Sequence, residues 1–250
     1  MRKSTSRIFT LTARNLKEVA RDPLSLVFMM ALPLFMEVVF YFLFSKMTSQ
    51  FEMKYLAPGI VVFSQAFLSL FTGLLIAVDR GSAFLTRLYV SRARPYEFIF
   101  GYALSLLPAS LVQTVLFFLI GGLIDRSIFC VGMLYCIPLS LVTALLFVGA
   151  GILFGSLCTE KSIGGVCSIV IAGQSVLSGM WFPVEGLGGG MLAVMRFLPF
   201  KNATELMQNT LNGIGDPFAD FWRPLFNVLA YAAALFAVAI VVFRKKMKSI

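Results

Sequence analysis

Six long apolar runs follow one another along this chain, and charged or turn-forming residues separate them. A helix that rises about 1.5 Å per residue needs roughly 20 apolar residues to cross a hydrocarbon core of about 30 Å. All six runs reach that length, at 24–44, 55–78, 98–124, 130–157, 163–182 and 224–243. The pattern predicts an all-α polytopic membrane protein with six transmembrane helices, in which residues 1–250 form a single domain.

The segment before the first run has helical periodicity of a different kind. Over residues 4–21 the apolar and charged side chains fall on two separate arcs of a helix. The apolar arc comprises Leu11, Ile8, Val19, Leu16, Phe9 and Ala20, and the charged arc comprises Lys17, Arg21, Arg14, Arg7 and Glu18. We expect an amphipathic helix in the plane of the lipid headgroups. Pro23 ends this helix, because a proline disfavours helical backbone geometry in the residue before it, here Asp22.

Two of the predicted spans carry polar or small side chains at helical spacing. The second span has Pro58, Gln65, Ser69 and Thr72, and the fifth has Gly164, Ser168, Ala172, Ser175 and Gly179, with Gln174 and Ser178 beside them. Small residues let membrane helices approach closely, and polar ones need a partner or water. Either the two stripes belong to the interior of an assembly, or they only pack against helices of the same chain. Gly151 and Gly155 in the fourth span are interpreted as a packing pair.

One charged residue, Glu37, interrupts the first span. A charge near the centre of a span costs on the order of 2.5–3.5 kcal/mol on insertion scales. We therefore expect Glu37 to face the protein interior, where it is paired or protonated. Its role stays open between a structural partnership and a part in substrate binding or gating.

The longest connection, residues 183–223, separates the fifth and sixth spans. Its apolar part from Leu187 to Leu198 is too short to cross a membrane. It is expected to lie at the membrane surface or to dip back in. Asn202 and Glu205 have the spacing of a capping box that starts a helix, and Gly213 is placed to end the same helix.

Composition agrees with this pattern. The chain is 59% hydrophobic and only 13% charged, whereas soluble domains have roughly 45–50% apolar and 25% charged residues. The runs fill most of the 250 residues and leave no room for a soluble domain.

The distribution of Lys and Arg predicts the orientation. The N-terminal segment holds six, the connector 79–97 four, the connector 158–162 one and the C-terminal tail four. The segments on the other side hold six together, matched by six acidic residues. Because Lys- and Arg-rich segments stay cytoplasmic, both termini are predicted to face the cytoplasm. The net charge of +9 then suits anionic lipid headgroups and does not indicate nucleic-acid binding.

Catalytic and metal-binding patterns are missing from the sequence. It contains no histidine, which excludes histidine-based metal sites and acid–base catalysis. The stretch GSLCTEKS at 155–162 has Glu160 where a phosphate-binding loop needs its second glycine, and a carboxylate there would repel phosphate. The four cysteines lack metal-type spacing. We therefore expect no enzyme activity, no metal and no cofactor in this chain.

The connector after the second span mixes both signs of charge with apolar side chains. Its sequence at 77–102, AVDRGSAFLTRLYVSRARPYEFIFGY, interleaves Leu85, Leu88 and Tyr89 with arginines and acids. A membrane anchor needs only Lys and Arg near the headgroups, whereas a mixed surface suits a cleft in another protein. An anchor without a partner stays as the alternative interpretation.

Several of these segments together resemble the type-two ABC exporter permeases, which are related in fold to the ABCG half-transporters. The resemblance covers the whole chain: the amphipathic helix, the six spans, YLAPGIVVFSQAF opening span two, DRGSAFLTRLYVSRARPYEFIFGY after it, and SGMWFPVEGL with MRFLPFKNATELMQ after span five. Permeases of this family are the membrane subunits of drug, antibiotic and polysaccharide exporters.

The resemblance implies a role for the connector 79–97. In the family it is a coupling helix that rests in a cleft of a separate ATP-hydrolysing subunit, beside the amphipathic helix. The residues expected to couple this chain to its ATPase are Asp79, Arg80, Gly81, Leu85, Arg87, Leu88 and Glu97. Arg92 and Tyr102 depart from the family pattern, in which proline and lysine are common at these positions.

The resemblance also implies an assembly. Two permeases, identical or related, would form a dimer of twelve spans in a bacterial plasma membrane and bind two ABC-type ATPase subunits, which carry the ATP and Mg²⁺. Spans two and five would line a central cavity and the dimer contact, and segment 183–223 would act as an outer lid. The residues expected there are Gln65, Ser69, Thr72, Gln174 and Ser178.

The expected substrate is amphipathic, because Phe, Met and Leu with a few amides would wall the cavity. A drug, a peptide antibiotic or a lipid-like molecule fits that description. Two alternatives stay open: a permease that exports lipid-linked polysaccharide, and a secondary transporter or channel that works without an ATPase.

Overall fold

The computed structural model of the protein describes residues 2–82, 94–182 and 187–248, in which every regular element is a helix. The α-helices are α1 (Arg2–Ala20), α2 (Pro23–Phe44), α3 (Met53–Gly81), α4 (Pro95–Ile124), α5 (Val131–Leu157), α6 (Glu160–Leu177), α7 (Gly189–Phe197), α8 (Pro199–Asn212) and α9 (Arg223–Lys248). Short 3₁₀ turns lie at Ser49–Phe51 and Arg126–Ile128, and a π-helical turn at Pro217–Trp222 precedes α9.

Local sequence explains where several helices begin and end. Proline occupies the first position of α4, where its missing N–H costs no hydrogen bond. Thr159 precedes α6 and exchanges capping bonds with Ser162. Gly213 ends α8 with a φ of 104°, a conformation that glycine adopts without steric strain.

In the described part of the chain, five helices are long and apolar enough to cross a membrane: α2, α3, α4, α5 and α9, the last together with its π-helical turn. The predicted fifth span at 163–182 corresponds to α6, which ends at Leu177 and is about 27 Å long at about 1.5 Å per residue. It ends early because Gly179 turns the chain with a φ of 71°. Among the described residues, six predicted spans thus become five long helices and the shorter α6.

Helix α3 lies at the centre of the bundle and packs against α2, α4, α5, α6 and α8. Helix α2 packs on one side only, and its outer face exposes large apolar residues such as Phe35 and Phe42. That exposed face suits hydrocarbon and not water.

Glycine lets α3 and α5 approach closely. A Cβ atom on Gly151 would lie 2.4 Å from the carbonyl oxygen of Ser69, and one on Gly155 would lie 2.7 Å from that of Gly73. The interpretation of Gly151 and Gly155 as a packing pair is therefore confirmed.

Helix α8 differs in part from its prediction. It begins at Pro199, so the capping box predicted at Asn202 and Glu205 is wrong. The Asn202 amide instead donates to the carbonyl oxygens of Arg196 and Leu198, at 2.8 Å each, and Glu205 pairs with Lys201 inside the helix. Most of α8 is buried against α3, α5 and α9. The part that was expected to lie at the surface or to dip back in, Leu187 to Leu198, instead contains α7, in which only Met195 is buried and most residues are exposed.

Candidate functional site

A buried carboxylate joins three helices at one end of the bundle. We call this end, formed by α1, the last turns of α3 and α5 and the first turns of α4, the basic end. Asp79 of α3 is only 2% exposed there. It accepts two hydrogen bonds from the Arg14 guanidinium of α1, at 2.5 and 2.7 Å, and one from the Tyr102 hydroxyl of α4, at 2.6 Å. Two parallel bonds from one guanidinium make this a strong, directional contact.

The surroundings of Arg14 favour its charged form. Partial burial opposes the charge, but the hydrogen bond and the negative charge of Asp79 outweigh it, so the pKa of Arg14 lies above its ordinary value. Glu18, one turn further along α1, lies 2.8 Å from the same guanidinium. Burial raises the pKa of Glu18, and the nearby Arg14 only partly opposes this.

Arg80, the next residue of α3, holds the end of another helix. Its Nη1 donates to the carbonyl oxygens of Gly155, Ser156 and Cys158, at 2.9, 2.6 and 3.0 Å. The last carbonyl groups of a helix lack partners within the helix and carry partial negative charge. Arg80 therefore caps α5 and fixes it to the end of α3.

Helix α1 also crosses the first turns of α4 at close range. A Cβ atom on Gly101 would lie 2.9 Å from the Leu11 Cβ, and the Thr12 hydroxyl donates to the carbonyl oxygen of Gly101 at 3.3 Å. Buried Glu97 accepts from the backbone N–H of Arg94 at 3.1 Å and lies 3.6 Å from the Arg7 guanidinium. The described parts of α1, α3, α4 and α5 thus form one connected unit at the basic end.

The polar stripe of α3 faces inward within the chain. The Gln65 amide donates to the Ser110 hydroxyl of α4 at 3.2 Å and to the Ser140 carbonyl oxygen of α5 at 2.9 Å. Ser69 and Thr72 donate to carbonyl oxygens of their own helix and lie against Gly151 of α5. Contacts within the chain therefore satisfy the donor groups of this stripe.

The two sides of α6 differ. Gln174 is buried and donates to the Thr204 hydroxyl of α8 at 3.0 Å, and the Ser178 hydroxyl accepts from the backbone N–H of Met180. On the small-residue stripe, in contrast, Ser168 and Ala172 are exposed. A Cβ atom on Gly164 would have no described atom within 4 Å. The part of that stripe from Gly164 to Ala172 is therefore not covered by described residues, whereas Ser175 accepts a hydrogen bond from the Trp181 ring at 3.0 Å.

Glu37 of α2 is fully buried between helices. A Cβ atom on Gly121 of α4 would lie 3.0 Å from the Glu37 Oε1 and 3.2 Å from the Met53 sulfur of α3. Neither carboxyl oxygen has a hydrogen-bond partner among the described residues. Such an environment penalises a charged carboxylate strongly, so this arrangement favours the neutral acid.

A comparison with protein families decides the identity of this bundle. The family model described as ABC-2 type transporter matches residues 6–212. The chain belongs to the ABC-2 type transporter family. It is therefore the membrane-spanning permease component of an ABC transporter, and the family implies association with an ABC ATPase subunit. Among curated proteins, none matches this chain.

Only some of the permease's predicted coupling residues lie in the described part of the chain, and most of those contact other helices. Asp79, Arg80 and Glu97 contact other helices of the same chain, whereas a Cβ atom on Gly81 would have no described atom within 4 Å. Leu85, Arg87 and Leu88 lie outside the described residues, as does Arg92. Asp79 and Glu97 are too buried to bind another chain directly, so in this structure they hold the helices beneath the connector together.

Two partners in this unit were not identified from the sequence. Arg14 was predicted only to lie on the charged arc of the amphipathic helix and to face the cytoplasm, and Tyr102 was noted only as a departure from the family's lysine. The signal that could have found them is charge balance: Asp79 begins a connector beside an apolar span, and a buried carboxylate needs a cation and a donor. Tyr102 provides a donor without the second positive charge that lysine would bring.

Glu37 gives the first prediction for the permease. Replacing it by methionine should raise the free energy of unfolding by about 1–3 kcal/mol, because the buried polar group has no described partner to lose. The matched control, Gln65→Met, should lower the same quantity, because Gln65 makes two hydrogen bonds. Thermal unfolding of the purified protein in detergent measures both.

A destabilised Glu37→Met protein would contradict this prediction. If the variant also lost its dimer in detergent, the carboxyl would need a partner from a second subunit. Glu37→Gln, which keeps the shape of the side chain, should preserve assembly.

Proposed function

We propose that the permease works as an exporter subunit, in which its basic end receives force from a separate ATPase subunit. The observation that carries this proposal is the connection of Arg14, Asp79 and Tyr102 across three helices. The connector 79–97 begins in the last turn of α3 and ends in the first turn of α4. Force on the connector would thus reach α1, α3 and α4 together.

The strength of this connection supports concerted movement. Asp79 is nearly inaccessible to water, and breaking a buried pair leaves an uncompensated charge at a cost of about 3–5 kcal/mol. Arg80 adds three bonds to the end of α5. Closure of two ATPase subunits on bound ATP and Mg²⁺ would then tilt these helices as a group, and a cavity would open alternately to the two sides.

The uncovered stripe of α6 supports a dimer. Gly164, Ser168 and Ala172 present small side chains that no described residue covers, and small residues let membrane helices pack closely. A second permease, identical or related, would cover this face. Gln65, Ser69, Thr72, Gln174 and Ser178, which are buried within one chain here, are proposed to border the pathway only when the helices tilt apart.

The proposed substrate class is amphipathic: a drug, a peptide antibiotic or a lipid-like molecule. Apolar side chains dominate the described helices, and a few amides and hydroxyls lie among them. Purification of the permease with its ATPase, followed by a screen of compounds on ATP hydrolysis, tests this proposal. ATP hydrolysis that ignored every hydrophobic drug or peptide, in a complex that transported a glycan, would overturn it.

Arg87 in the connector gives a second prediction. In sealed vesicles that contain both subunits, Arg87→Glu should leave the permease folded but uncouple transport from ATP hydrolysis, because it reverses a charge on the proposed contact surface. The matched control is Arg126→Glu, a charge reversal at the opposite end of the bundle, which should transport normally. Normal transport by Arg87→Glu would exclude this contact.

A further inference from the structure

A cavity of about 310 Å³ opens at the basic end, between α1, α2, α3 and α4. Its walls are apolar and include Leu26 of α2, Phe71 and Leu75 of α3 and Leu106 of α4. Its size is at the low end of the range of about 300–1,000 Å³ that is common for small-molecule sites. A cavity of this size suits one short hydrocarbon chain better than a larger ligand.

Two carboxylates, Glu18 and Asp22, line the same cavity where α1 leads into α2. The sequence before Glu37 contains no other acidic residue, although it contains six Lys and Arg residues. Among the described residues that line the cavity, these two carry the only charges. Arg14, Lys17 and Arg21 lie beside the same two carboxylates, in the lining of an adjoining cavity of α1, so the negative charge is confined to the lining of the apolar cavity itself.

Glu18 retains capacity to accept a hydrogen bond. Its Oε2 lies 2.8 Å from the Arg14 guanidinium, but it accepts no well-aligned hydrogen bond from any described residue. The same guanidinium directs its two Nη groups at Asp79. Arg14 is therefore committed mainly to Asp79 and compensates Glu18 only in part.

We propose that this cavity binds a single-chain cationic amphiphile. Its ammonium group would lie between Glu18 and Asp22, and its hydrocarbon chain would lie along Phe71, Leu75 and Leu106. The combination of an apolar chamber with carboxylates at one side fits this chemistry: burial removes the apolar chain from water, and the carboxylates select the positive charge. The inference goes beyond the proposed function, because the cavity lies within one subunit and its occupancy can be measured without the ATPase.

The test uses a decyltrimethylammonium probe with a photoreactive diazirine in its chain, incubated with the purified permease in lipid nanodiscs. Mass spectrometry after irradiation should find labelled peptides from α3 and α4 around Phe71, Leu75 and Leu106. Excess unlabelled decyltrimethylammonium should abolish the labelling, and excess decyl sulfate should not. Equal competition by decyl sulfate, or by the zwitterionic lipid phosphatidylethanolamine, would overturn the proposal.

Two variants make the test specific. Glu18→Gln combined with Asp22→Asn should reduce labelling about tenfold, which corresponds to about 1.4 kcal/mol of binding free energy. Leu75→Trp should abolish labelling by filling the chamber. Glu52→Gln, at the opposite end of the bundle, is the matched control and should label like the unmodified protein. Thermal unfolding confirms that each variant is folded, and unchanged labelling of the doubly substituted folded variant would show partition into the bilayer only and overturn the proposal.

Discussion

Replacing Gly151 by leucine is expected to prevent the permease from folding into a stable bundle. A Cβ atom at this position would lie 2.4 Å from the carbonyl oxygen of Ser69 and 2.8 Å from the Thr72 Cβ. A backbone atom cannot give way unless α3 and α5 separate. Overpacking costs about 1–3 kcal/mol and occasionally more, and leucine adds three further carbon atoms beyond the Cβ. Against a total stability of about 5–15 kcal/mol, this change should greatly lower the yield of monodisperse protein.

Gly164→Leu is the matched control. It places the same side chain on a helix of the same bundle, but no described atom lies within 4 Å of the new Cβ. The monomer should remain folded, because leucine also favours helix over glycine by up to about 1 kcal/mol. If the stripe of α6 forms the dimer contact, this variant should be monomeric where the unmodified protein is dimeric. Size-exclusion chromatography with light scattering separates the two effects, and equal yields from Gly151→Leu and Gly164→Leu would contradict the packing argument.

Asp79→Ala is expected to lower the free energy of unfolding by about 3 kcal/mol, because it removes the acceptor of three hydrogen bonds in a buried site. The Arg14 side chain is about one third exposed, so water relieves part of its lost pairing and keeps the effect near the lower end for buried pairs. Transport should fall further than stability does, because force on the connector would lose its direct route from α3 to α1 through Asp79 and Arg14.

A double-mutant cycle isolates this contact. Arg14→Ala with Asp79→Ala should cost less than the sum of the two single changes by about 1–3 kcal/mol. Tyr102→Phe, which removes one hydroxyl and keeps the ring, should cost only about 1 kcal/mol. The control pair Lys54 and Glu52 is exposed and 3.4 Å apart, and its removal should change stability by less than about 1 kcal/mol. Additive effects at Arg14 and Asp79 would show that they do not act together.

Several features of the fold were predictable because they are local. Helix boundaries at Phe44, Ile124 and Leu157 agree with the apolar runs, since an apolar run ends where polar groups must return to water. The start of α8 was not predicted correctly, because Asn202 and Glu205 have the spacing of a capping box, whereas in the structure both lie inside the helix and the Asn202 amide donates to carbonyl oxygens. The end of α6 at Leu177 was also missed, because the apolar run continues through the turn at Gly179.

The candidate site shows a similar division. Asp79, Arg80 and Glu97 could be selected from the connector and from the family resemblance, but their partners could not. Arg14 is 65 residues before Asp79 along the chain, and Arg80 reaches carbonyl groups about 75 residues away. No spacing rule connects positions at such separations, because they meet only after the helices have packed.

The sequence by itself determined the class of this protein, because long apolar runs need lipid around them. The excess of Lys and Arg on one side also predicts the orientation of the chain. Both properties depend on the free energy of transferring single segments between water and hydrocarbon. Each segment has that transfer free energy whether or not the other helices have packed against it. Only the tertiary structure decided that Asp79 binds Arg14 and Tyr102, that Glu37 lacks a described partner, and that two carboxylates border an apolar cavity. These facts depend on the distances between helices, and close packing at glycines such as Gly101 and Gly151 sets those distances.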